Sequence, residues 1–378
     1  MKIFIEPADV LFFRDSRSFN RGDDNVARMV FPPTPMPFYG ALRSSLISES
    51  WDTFADFVGG VETAASSVVG SASQLGSLSI THFSLGLKTG GKVEPLFPIP
   101  ADLVGLQEGE ETMVLSPRKA GDNMETNMPS VIEAYVIGDG ALGLQTPSGF
   151  LNAKALSEYL KGIKISRSDI IPESDLFVKE HRVGIARAGD TGIAREGMLY
   201  SAEFARLNKT LGDGSAVVGF WIGVEGDGGL LSGRGRVLRL GGESRTSFCE
   251  TGLDQKANLE LAPPAGRFKS ILLTPAVFTN GWIPDGLDPA TGEGVVAGRR
   301  VKLISAIVKR SIPISGWDIA QGRPKPARRA VPQGSVYYFE SLDSARIDSA
   351  PLTVSLCEDE LYSKQGFGLS ILGEWNHV

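Results

Sequence analysis

The segments FVKEHRVGI at residues 177–185 and MLYSAEF at residues 198–204 decide how the fold is divided. Each places β-branched or aromatic residues among polar ones, in the short alternation that predicts a strand. The residues between them, ARAGDTGIAREG at 186–197, are rich in Gly and Arg and predict a polar, mobile tip. We therefore expect a long β-hairpin with larger units on either side.

Those larger units are expected to combine many short strands with few helices. The chain has 378 residues, of which 42% are hydrophobic and 22% charged, and this indicates a globular protein of about two domains. Its 45 Gly and 22 Pro favour turns and short strands over a helix bundle. Residues 2–6 and 216–224 predict strands, and the Pro-rich segment 31–37 leads into a helix over about 37–48.

The charge of the chain is unevenly distributed. The formal net charge is −6, but residues 295–335 hold nine Lys or Arg and one acid, Asp318, which gives this stretch +8 and leaves −14 for the rest. Such a stretch is a candidate contact surface for phosphate, although a solvated basic loop would have the same composition. Residues 101–139, with eight acids and two bases, predict a segment that faces solvent.

The basic residues concentrate in GRPKPARRAVP at residues 322–332, which we expect to be an extended cationic loop, unable to form a helix or a ladder. Trp317 precedes this loop, and Tyr337 and Tyr338 follow it. Cations for phosphates and rings for bases are what an RNA strand needs. The alternative is that the aromatic rings belong to the core.

Two further segments suit phosphate contacts. The apolar residues 11–13 anchor a turn that carries Arg14, Arg17 and Arg21. Near the C-terminus, Gly366 and Gly368 would let phosphate approach the backbone N–H groups, with charge from Lys364. A glycine pair is also common in ordinary turns.

Signatures of enzymes, metals and membranes are missing from the sequence. It has no GxSxG, GxxxxGK[ST], HExxH or strand-linked GxGxxG motif. Two distant cysteines, Cys249 and Cys357, and three histidines make neither a CxxC pair nor a multi-histidine centre. We expect no metal, cofactor or catalytic residue. No apolar run reaches the roughly 18–20 residues of a membrane span, and the few cysteines suit the cytoplasm.

Several segments, taken in order, resemble the RAMP subunit of the type III-B (Cmr) CRISPR effector complex that holds the crRNA 5′ handle. The resemblance rests on residues 7–19, 31–46, 181–185, 196–200, 241–245, 316–326, 331–339 and 366–368. It implies an α+β fold of tandem ferredoxin-like, RRM-type domains at 1–170 and 213–378, with a β-hairpin thumb inserted at 171–212. It also implies a non-catalytic subunit that contacts the crRNA, the large polymerase-like subunit and the backbone RAMP subunits.

The hairpin and the basic loop supply further candidate RNA contacts, and the resemblance adds Arg245. They are His181, Arg182, Arg187, Arg195, Arg245, Lys325, Arg328 and Arg329. A structural role for His181 is an open alternative. No aromatic strand of the general RRM pattern is evident, so handle recognition would rely on loops and backbone.

Two other functions stay open at this point. A related RAMP protein cleaves repeat RNA with a general base, and Tyr39 on the predicted first helix is a candidate for that role. A purely structural adaptor would contact only protein neighbours.

Overall fold

Two large sheets and a smaller three-stranded one form most of the described chain in a computed structural model. The structure describes residues 1–14, 26–105, 111–119, 131–132, 134–136, 144–209, 215–233, 235–256, 259, 266–343 and 354–375. The mixed, strand-rich α+β class expected from the sequence is therefore present.

The elements are given in chain order. The first are β1 (Lys2–Pro7), β2 (Val26–Ala27), α1 (Met36–Ser50), α2 (Phe54–Val58), α3 (Ser66–Val69), β3 (Ser79–Thr89), β4 (Lys92–Pro98), β5 (Leu103–Gly105), β6 (Thr112–Val114), β7 (Pro117–Lys119), β8 (Ala134–Val136), β9 (Phe150–Asn152), α4 (Ala153–Leu160), β10 (Ile170–Ile171) and α5 (Glu173–Leu176). Next come β11 (Phe177–Arg187), β12 (Ala194–Leu207), β13 (Val217–Glu225), β14 (Arg236–Leu240), β15 (Arg245–Thr251) and β16 (Asp254–Gln255). The last are β17 (Arg267–Leu272), β18 (Glu293–Val296), β19 (Arg299–Ile307), β20 (Ile312–Ile314), β21 (Trp317–Asp318), β22 (Arg323–Pro324), β23 (Arg328–Ala330), β24 (Val336–Ser341), β25 (Val354–Ser355), α6 (Glu360–Lys364) and β26 (Leu369–Glu374).

The first sheet has the order β10-β9-β4-β3-β13-β1-β15-β14, with β16 beside β4. The predicted first helix, α1, contributes to the core of this half through Phe38, Leu42 and Leu46, whose spacing of four residues places them on one side of the helix. A proline in its first turn suits the helix start, since that N–H group would lack an intrahelical partner anyway.

The second sheet has the order β18-β19-β24-β17-β26-β25. Its central strands, β17 and β24, are almost entirely buried. A strand covered on both faces cannot show the polar alternation of a half-exposed strand, which is why VYYFE at residues 336–340 is nearly continuous in apolar and aromatic residues.

Each sheet contains a four-stranded centre of the same strand order. In the first, β1 and β3 are joined through α1 and separated by the antiparallel β13; in the second, β17 and β19 are separated by the antiparallel β24. The same strand order occurs in the split β-α-β-β-α-β unit. The second helix of such a unit is absent among the described residues between β13 and β15, and the first helix between β17 and β19.

The boundary predicted at residue 213 does not separate the two sheets. Strands β13, β14 and β15 follow the hairpin in sequence but pair with β1 in the first sheet. The chain passes from one sheet to the other between β16 and β17. The hairpin is therefore inserted within the first sheet's unit.

A buried ionic cluster joins the two halves. The Asp102 carboxylate accepts hydrogen bonds from the Lys269 ammonium (2.9 Å), the Tyr159 hydroxyl (2.5 Å) and the Tyr338 hydroxyl (2.9 Å). Lys269 also donates to the Tyr159 hydroxyl at 2.5 Å. Asp102 is fully buried, which corrects the expectation that residues 101–139 face solvent throughout.

Candidate nucleic-acid interface

The predicted hairpin is present, and its strands are longer than expected. β11 and β12 pair antiparallel over their whole length, with one irregularity between Ile185 and Arg187. The connecting turn spans only residues 188–193. Within it, Gly192 has a φ of +65°, which glycine adopts without strain. Half of the tip expected at 186–197, six of its twelve residues, therefore belongs to the strands.

The inner face of the hairpin packs against the N-terminal segment. Ala202 and Phe204 form a small buried cluster with Val10 and Ala27. The Phe12 ring lies with its centroid 4.8 Å from that of Phe204. Because this face is covered by the protein's own residues, the other face, which is exposed at Val183, Ile185 and Leu199, is the one that can meet a partner.

Two predicted RNA contacts from distant parts of the chain come together on the Phe204 ring. The guanidinium carbon of Arg182 lies 4.8 Å from the ring centroid, and that of Arg245 lies 5.0 Å from it. Arg182 pairs with Glu180 at 2.5 Å, and Arg245 pairs with Glu243. The hydrogen bond from Arg182 holds the pKa of Glu180 below its ordinary value. An RNA phosphate would compete with these acids for both cations.

The outer face of the hairpin is an apolar strip, which the sequence analysis missed. Val183 is 72% exposed, and the exposed side chains of Ile185 and Leu199 lie on directly opposite residues. His181 continues the face, with its Nδ1 atom 4.0 Å from a carboxylate oxygen of Glu203. The sequence did contain a signal for this strip. Val183 and Ile185 are apolar residues at alternate positions of one strand, and they lie on the face opposite to the one that packs against the protein.

The two arginines predicted at the tip belong to different strands of the hairpin, Arg187 to β11 and Arg195 to β12. Arg187 donates from Nε to the Gly192 carbonyl at 2.8 Å, so its side chain folds back onto the turn. The backbone of Arg195 belongs to β12, but its side chain lies outside the described residues. RNA contact by either residue stays a prediction.

The N-terminal cationic turn is described only at its start. Arg14 is exposed and forms an antiparallel bridge with Met29. Arg17 and Arg21 lie outside the described residues. The prediction that the three arginines form one RNA-binding surface stays a prediction.

The basic stretch at 322–332 forms short ladders, so the expectation that it cannot pair is wrong. β22 pairs with β21, and β23 pairs with β20, both antiparallel. A proline lacks the N–H donor, but its carbonyl still accepts, and a two-stranded ladder of two or three residues needs few donors. Arg328 and Arg329 are therefore exposed side chains of a strand.

The aromatic residues that flank this stretch have different positions. Tyr337 and Tyr338 are fully buried, and the Tyr337 hydroxyl donates to the Trp282 carbonyl at 2.7 Å. These two rings belong to the core, as the alternative interpretation held, and they cannot stack on bases. Trp317, in contrast, is 60% exposed.

A cavity of about 480 Å³ lies between α1 and the basic ladders. Its lining includes Tyr39 and Arg43 from α1, Trp317 and Arg328 from the ladders, and Lys325 from the connection between β22 and β23. The structure thus brings two predicted RNA contacts next to a helix that the sequence analysis had not connected with them.

The charged groups of this cavity are held in different ways. Arg43 donates to the Val69 carbonyl at 2.9 Å and to the Ser71 carbonyl. The half-buried Lys325 ammonium has no hydrogen bond or ion pair with any residue in the described parts of the chain. Burial lowers the pKa of Lys325 below its ordinary 10.5, and the nearby Asp318 opposes this shift.

The glycine turn near the C-terminus is buried and its N–H groups are occupied. The Gly366 N–H donates to the Ser363 carbonyl (3.0 Å), and the Gly368 N–H donates to the Pro275 carbonyl (2.8 Å). These N–H groups are not available to phosphate in this conformation, which corrects the predicted binding mechanism. RNA contact by Gly366 and Gly368 themselves stays untested.

Packing explains why glycine occupies both positions. Gly366 and Gly368 have φ values of +86° and +69°. A Cβ atom at Gly366 would lie 2.7 Å from an Ile80 methyl carbon, and one at Gly368 would lie 2.6 Å from the Cys357 sulfur. Both positions therefore exclude larger residues for reasons that need no ligand.

The predicted phosphate ligand beside this turn, Lys364, also has protein partners. Its ammonium group donates to the Gly76 carbonyl at 2.8 Å and pairs with Glu360 at 2.6 Å. A phosphate would have to replace one of these contacts, and RNA binding by Lys364 stays a prediction.

The geometry offers little for RNA cleavage by Tyr39. Its ring is buried, its hydroxyl has no hydrogen-bond partner among the described residues, and burial raises its pKa above the ordinary value. His82 is half-buried, and desolvation lowers its pKa to about 3.

Among the residues that the structure describes, no group of three or more His, Cys, Asp or Glu side chains could hold a metal ion. No helix in the same residues is long and apolar enough to cross a membrane.

Comparison with known proteins adds a family. A family model described as "CRISPR-associated protein (Cas_Cmr3)" matches residues 3–375. A chain in the cryo-EM structure of the Type III-B Cmr-beta bound to cognate target RNA and AMPPnP, state 1, is 17% identical with a TM-score of 0.51, over 89% of this chain and 86% of that chain. A chain in the structure bound to cognate target RNA has the same identity and coverage and a TM-score of 0.46. The first likeness shows a shared fold. None of the curated proteins compared matches the chain.

Proposed function

The chain belongs to the Cas_Cmr3 family of CRISPR-associated proteins, and on this premise we propose that it is the type III-B subunit that anchors the 5′ handle of the crRNA. The observation that carries the proposal is the family match over residues 3–375, which includes both sheets and the hairpin. In this role the protein bridges the large polymerase-like subunit to the backbone RAMP subunits and binds RNA without catalysing a reaction.

The proposed architecture is a tandem of ferredoxin-like domains with the hairpin as a thumb. The split strand order at the centre of both sheets supports it. With the sheet membership taken into account, the first domain includes residues on both sides of the thumb, up to β16, and the second begins at β17.

The handle's phosphates contact the cations beside Phe204. Arg182 and Arg245 come within about 5 Å of the same ring, and a guanidinium group matches the geometry of phosphate oxygens with two parallel hydrogen bonds. His181, Arg187 and Arg195 extend this surface along the hairpin. Arg14, Arg17 and Arg21 extend it along the N-terminal segment.

The outer face of the thumb meets bases near the junction of handle and guide. Val183, Ile185 and Leu199 form an exposed apolar strip there. Apolar side chains can enter between base steps and separate them, which costs stacking energy but exposes bases to the protein. A phosphate-binding surface and a base-separating strip on the same hairpin would hold the strand in one register.

RNA binding tests the proposal directly. The full-length protein is titrated against a fluorescent RNA carrying the handle of the accompanying CRISPR repeat, and against a scrambled RNA of equal length and composition. We expect the handle to bind at least about tenfold more tightly, which corresponds to about 1.4 kcal/mol.

A matched pair of variants locates the contact. Arg182→Ala with Arg245→Ala should weaken handle binding, whereas Lys154→Ala with Lys161→Ala, which removes the same charge from the region of α4, should not. Equal affinity of the parent for handle and scrambled RNA, or equal effects of the two variants, would contradict the proposal.

The absence of catalysis is tested separately. Incubation of the protein with repeat RNA, with and without Mg²⁺, should leave the RNA intact. Cleavage that is lost in Tyr39→Phe would instead support a processing endoribonuclease.

A further inference from the structure

We propose that the cavity between α1 and the basic ladders holds a single nucleotide, with its base against Trp317 and its phosphate at Lys325. This deepens the proposed function, because a base turned out of the bound RNA strand is one source of the nucleotide. A free mononucleotide is the other source with the same chemistry.

The size and shape of the cavity fit such an occupant. Its volume of about 480 Å³ lies within the roughly 300–1,000 Å³ of small-molecule and cofactor sites. Helix α1 forms one side and the two ladders form the other. The lining combines apolar and aromatic side chains with a few polar groups, as such sites usually do.

An exposed indole at the cavity supplies the stacking surface. Trp317 is 60% exposed, although a tryptophan carries one of the largest apolar surfaces of any residue. The other aromatic residues of the lining are Tyr39, Phe54, Phe57 and Tyr362. A base stacked on Trp317 would cover the indole, and such stacking accepts any of the four bases.

The charges of the cavity favour an anion. Three cations, Arg43, Lys325 and Arg328, and one acid, Asp318, contribute to the lining. Lys325 is half-buried with no hydrogen bond or ion pair to the described residues, and Asp318 offsets only part of the desolvation that lowers its pKa. A phosphate beside it would supply that partner.

Two lining side chains also have unused hydrogen-bonding capacity. The Tyr39 hydroxyl and the Gln365 amide oxygen are buried, with no hydrogen-bond partner among the described residues. Most buried polar groups in proteins are paired, and the edge of a base carries both donors and acceptors. A partner protein that packed only apolar residues into the cavity would leave these groups and Lys325 unsatisfied.

The experiment uses the full-length protein and two probes. The first is a single-stranded RNA carrying the handle, and the second is adenosine 5′-monophosphate. Binding is measured for the parent, Trp317→Ala, Lys325→Gln and the control Phe248→Ala, which removes another exposed aromatic ring outside the cavity. Thermal melts verify that each variant is folded.

We expect Trp317→Ala to weaken binding by roughly 5- to 150-fold, the range for loss of one base–aromatic stack. Lys325→Gln should weaken binding as well, and Phe248→Ala should not. If the two cavity substitutions weaken the binding of RNA alone, the nucleotide is a residue of the RNA strand. If adenosine 5′-monophosphate binds the parent and both substitutions weaken that binding, a free nucleotide occupies the site.

The inference is overturned if the folded cavity variants bind both probes as the parent does. In that case handle binding by the parent would still support the proposed function. A parent that binds no handle RNA would count against the proposed function, and the mononucleotide titration alone would then decide the inference.

Discussion

Two lysines of this protein, the buried Lys269 and the half-buried Lys325, differ in whether the protein supplies a partner for the charge. Lys269 is buried, with Asp102 at 2.9 Å, the Tyr159 hydroxyl at 2.5 Å and the Tyr159 ring 3.8 Å from its ammonium. Lys325 is half-buried beside a cavity and has no such partner in the described chain. The first cluster is complete within the protein; the second has room and charge for a ligand.

Burial has a cost in both places, and the difference lies in what offsets it. Desolvation lowers the pKa of Lys269 and of Lys325, but Asp102 compensates the first with a hydrogen bond. A buried cation with hydrogen-bond partners inside the protein contributes to a single well-ordered core. A partly buried cation without partners is more typical of a binding site.

The largest loss of stability is expected from a substitution in the buried cluster of Asp102 and Lys269. Asp102→Asn leaves the Lys269 charge buried without an ion-pair partner, and removal of one partner of a buried pair typically costs about 3–5 kcal/mol. Urea denaturation of the variant and of Lys325→Ala compares the two lysine sites. We expect a large loss in the free energy of unfolding for Asp102→Asn and little change for Lys325→Ala. Equal losses would mean that the two sites do not differ as described.

We expect the glycine turn at residues 366–368 to contribute to stability and not to RNA binding. Gly366→Ala places a Cβ atom against Ile80 at a φ of +86°, and such backbone strain costs about 1–3 kcal/mol. The folded variant should bind handle RNA with the parent's affinity, because the amides of the turn already have partners. A normal melting temperature with weakened RNA binding would indicate that the turn contacts RNA after all.

The basic ladders should affect binding but not stability. Lys325→Ala, Arg328→Ala and Arg329→Ala combined should lower the slope of log affinity against log salt by about 0.7 for each lost phosphate contact. The control combines Lys154→Ala, Lys161→Ala and Lys164→Ala and removes the same charge from exposed positions around α4. Handle affinity is measured at several ionic strengths. Identical slopes for the two triple variants would remove the ladders from the RNA interface.

The smallest effect concerns pH. The pKa of folded Lys325 lies below the ordinary 10.5, so between these two values the unfolded chain binds more protons than the folded one. The free energy of unfolding contributed by Lys325 therefore rises with pH across that window. Denaturation of the parent and of Lys325→Gln is measured between neutral pH and 10.5. The free energy of unfolding of the parent should rise with pH relative to that of the variant. A difference that is flat or falls with pH would contradict this assignment.

Local patterns in the sequence were sufficient for the hairpin and for α1. The alternation in FVKEHRVGI and the four-residue spacing of Phe38, Leu42 and Leu46 reflect contacts between near neighbours. The pairing of β13 with β1 joins segments more than two hundred residues apart, and no local signal marks it. This is why the predicted boundary at 213 fell within the first sheet's unit.

The cavity was predictable only in part. Lys325, Arg328 and Trp317 were identified because cations and an aromatic ring lie close in sequence. Tyr39 and Gln365 join them only through tertiary packing. The glycine turn was assigned a binding mechanism because a glycine pair looks the same in sequence whether it approaches a phosphate or, as here, Ile80 and Cys357.

Photocrosslinking tests the central claim most directly, namely that this chain holds the handle with its hairpin and basic ladders. The complex is assembled with crRNA that carries 4-thiouridine at single handle positions, irradiated and digested, and the crosslinked peptides are identified by mass spectrometry. The account predicts crosslinks in residues 177–207 and 312–330 of this chain. Handle crosslinks confined to other subunits, or to the opposite edge of the second sheet at β18 and β19, would contradict it.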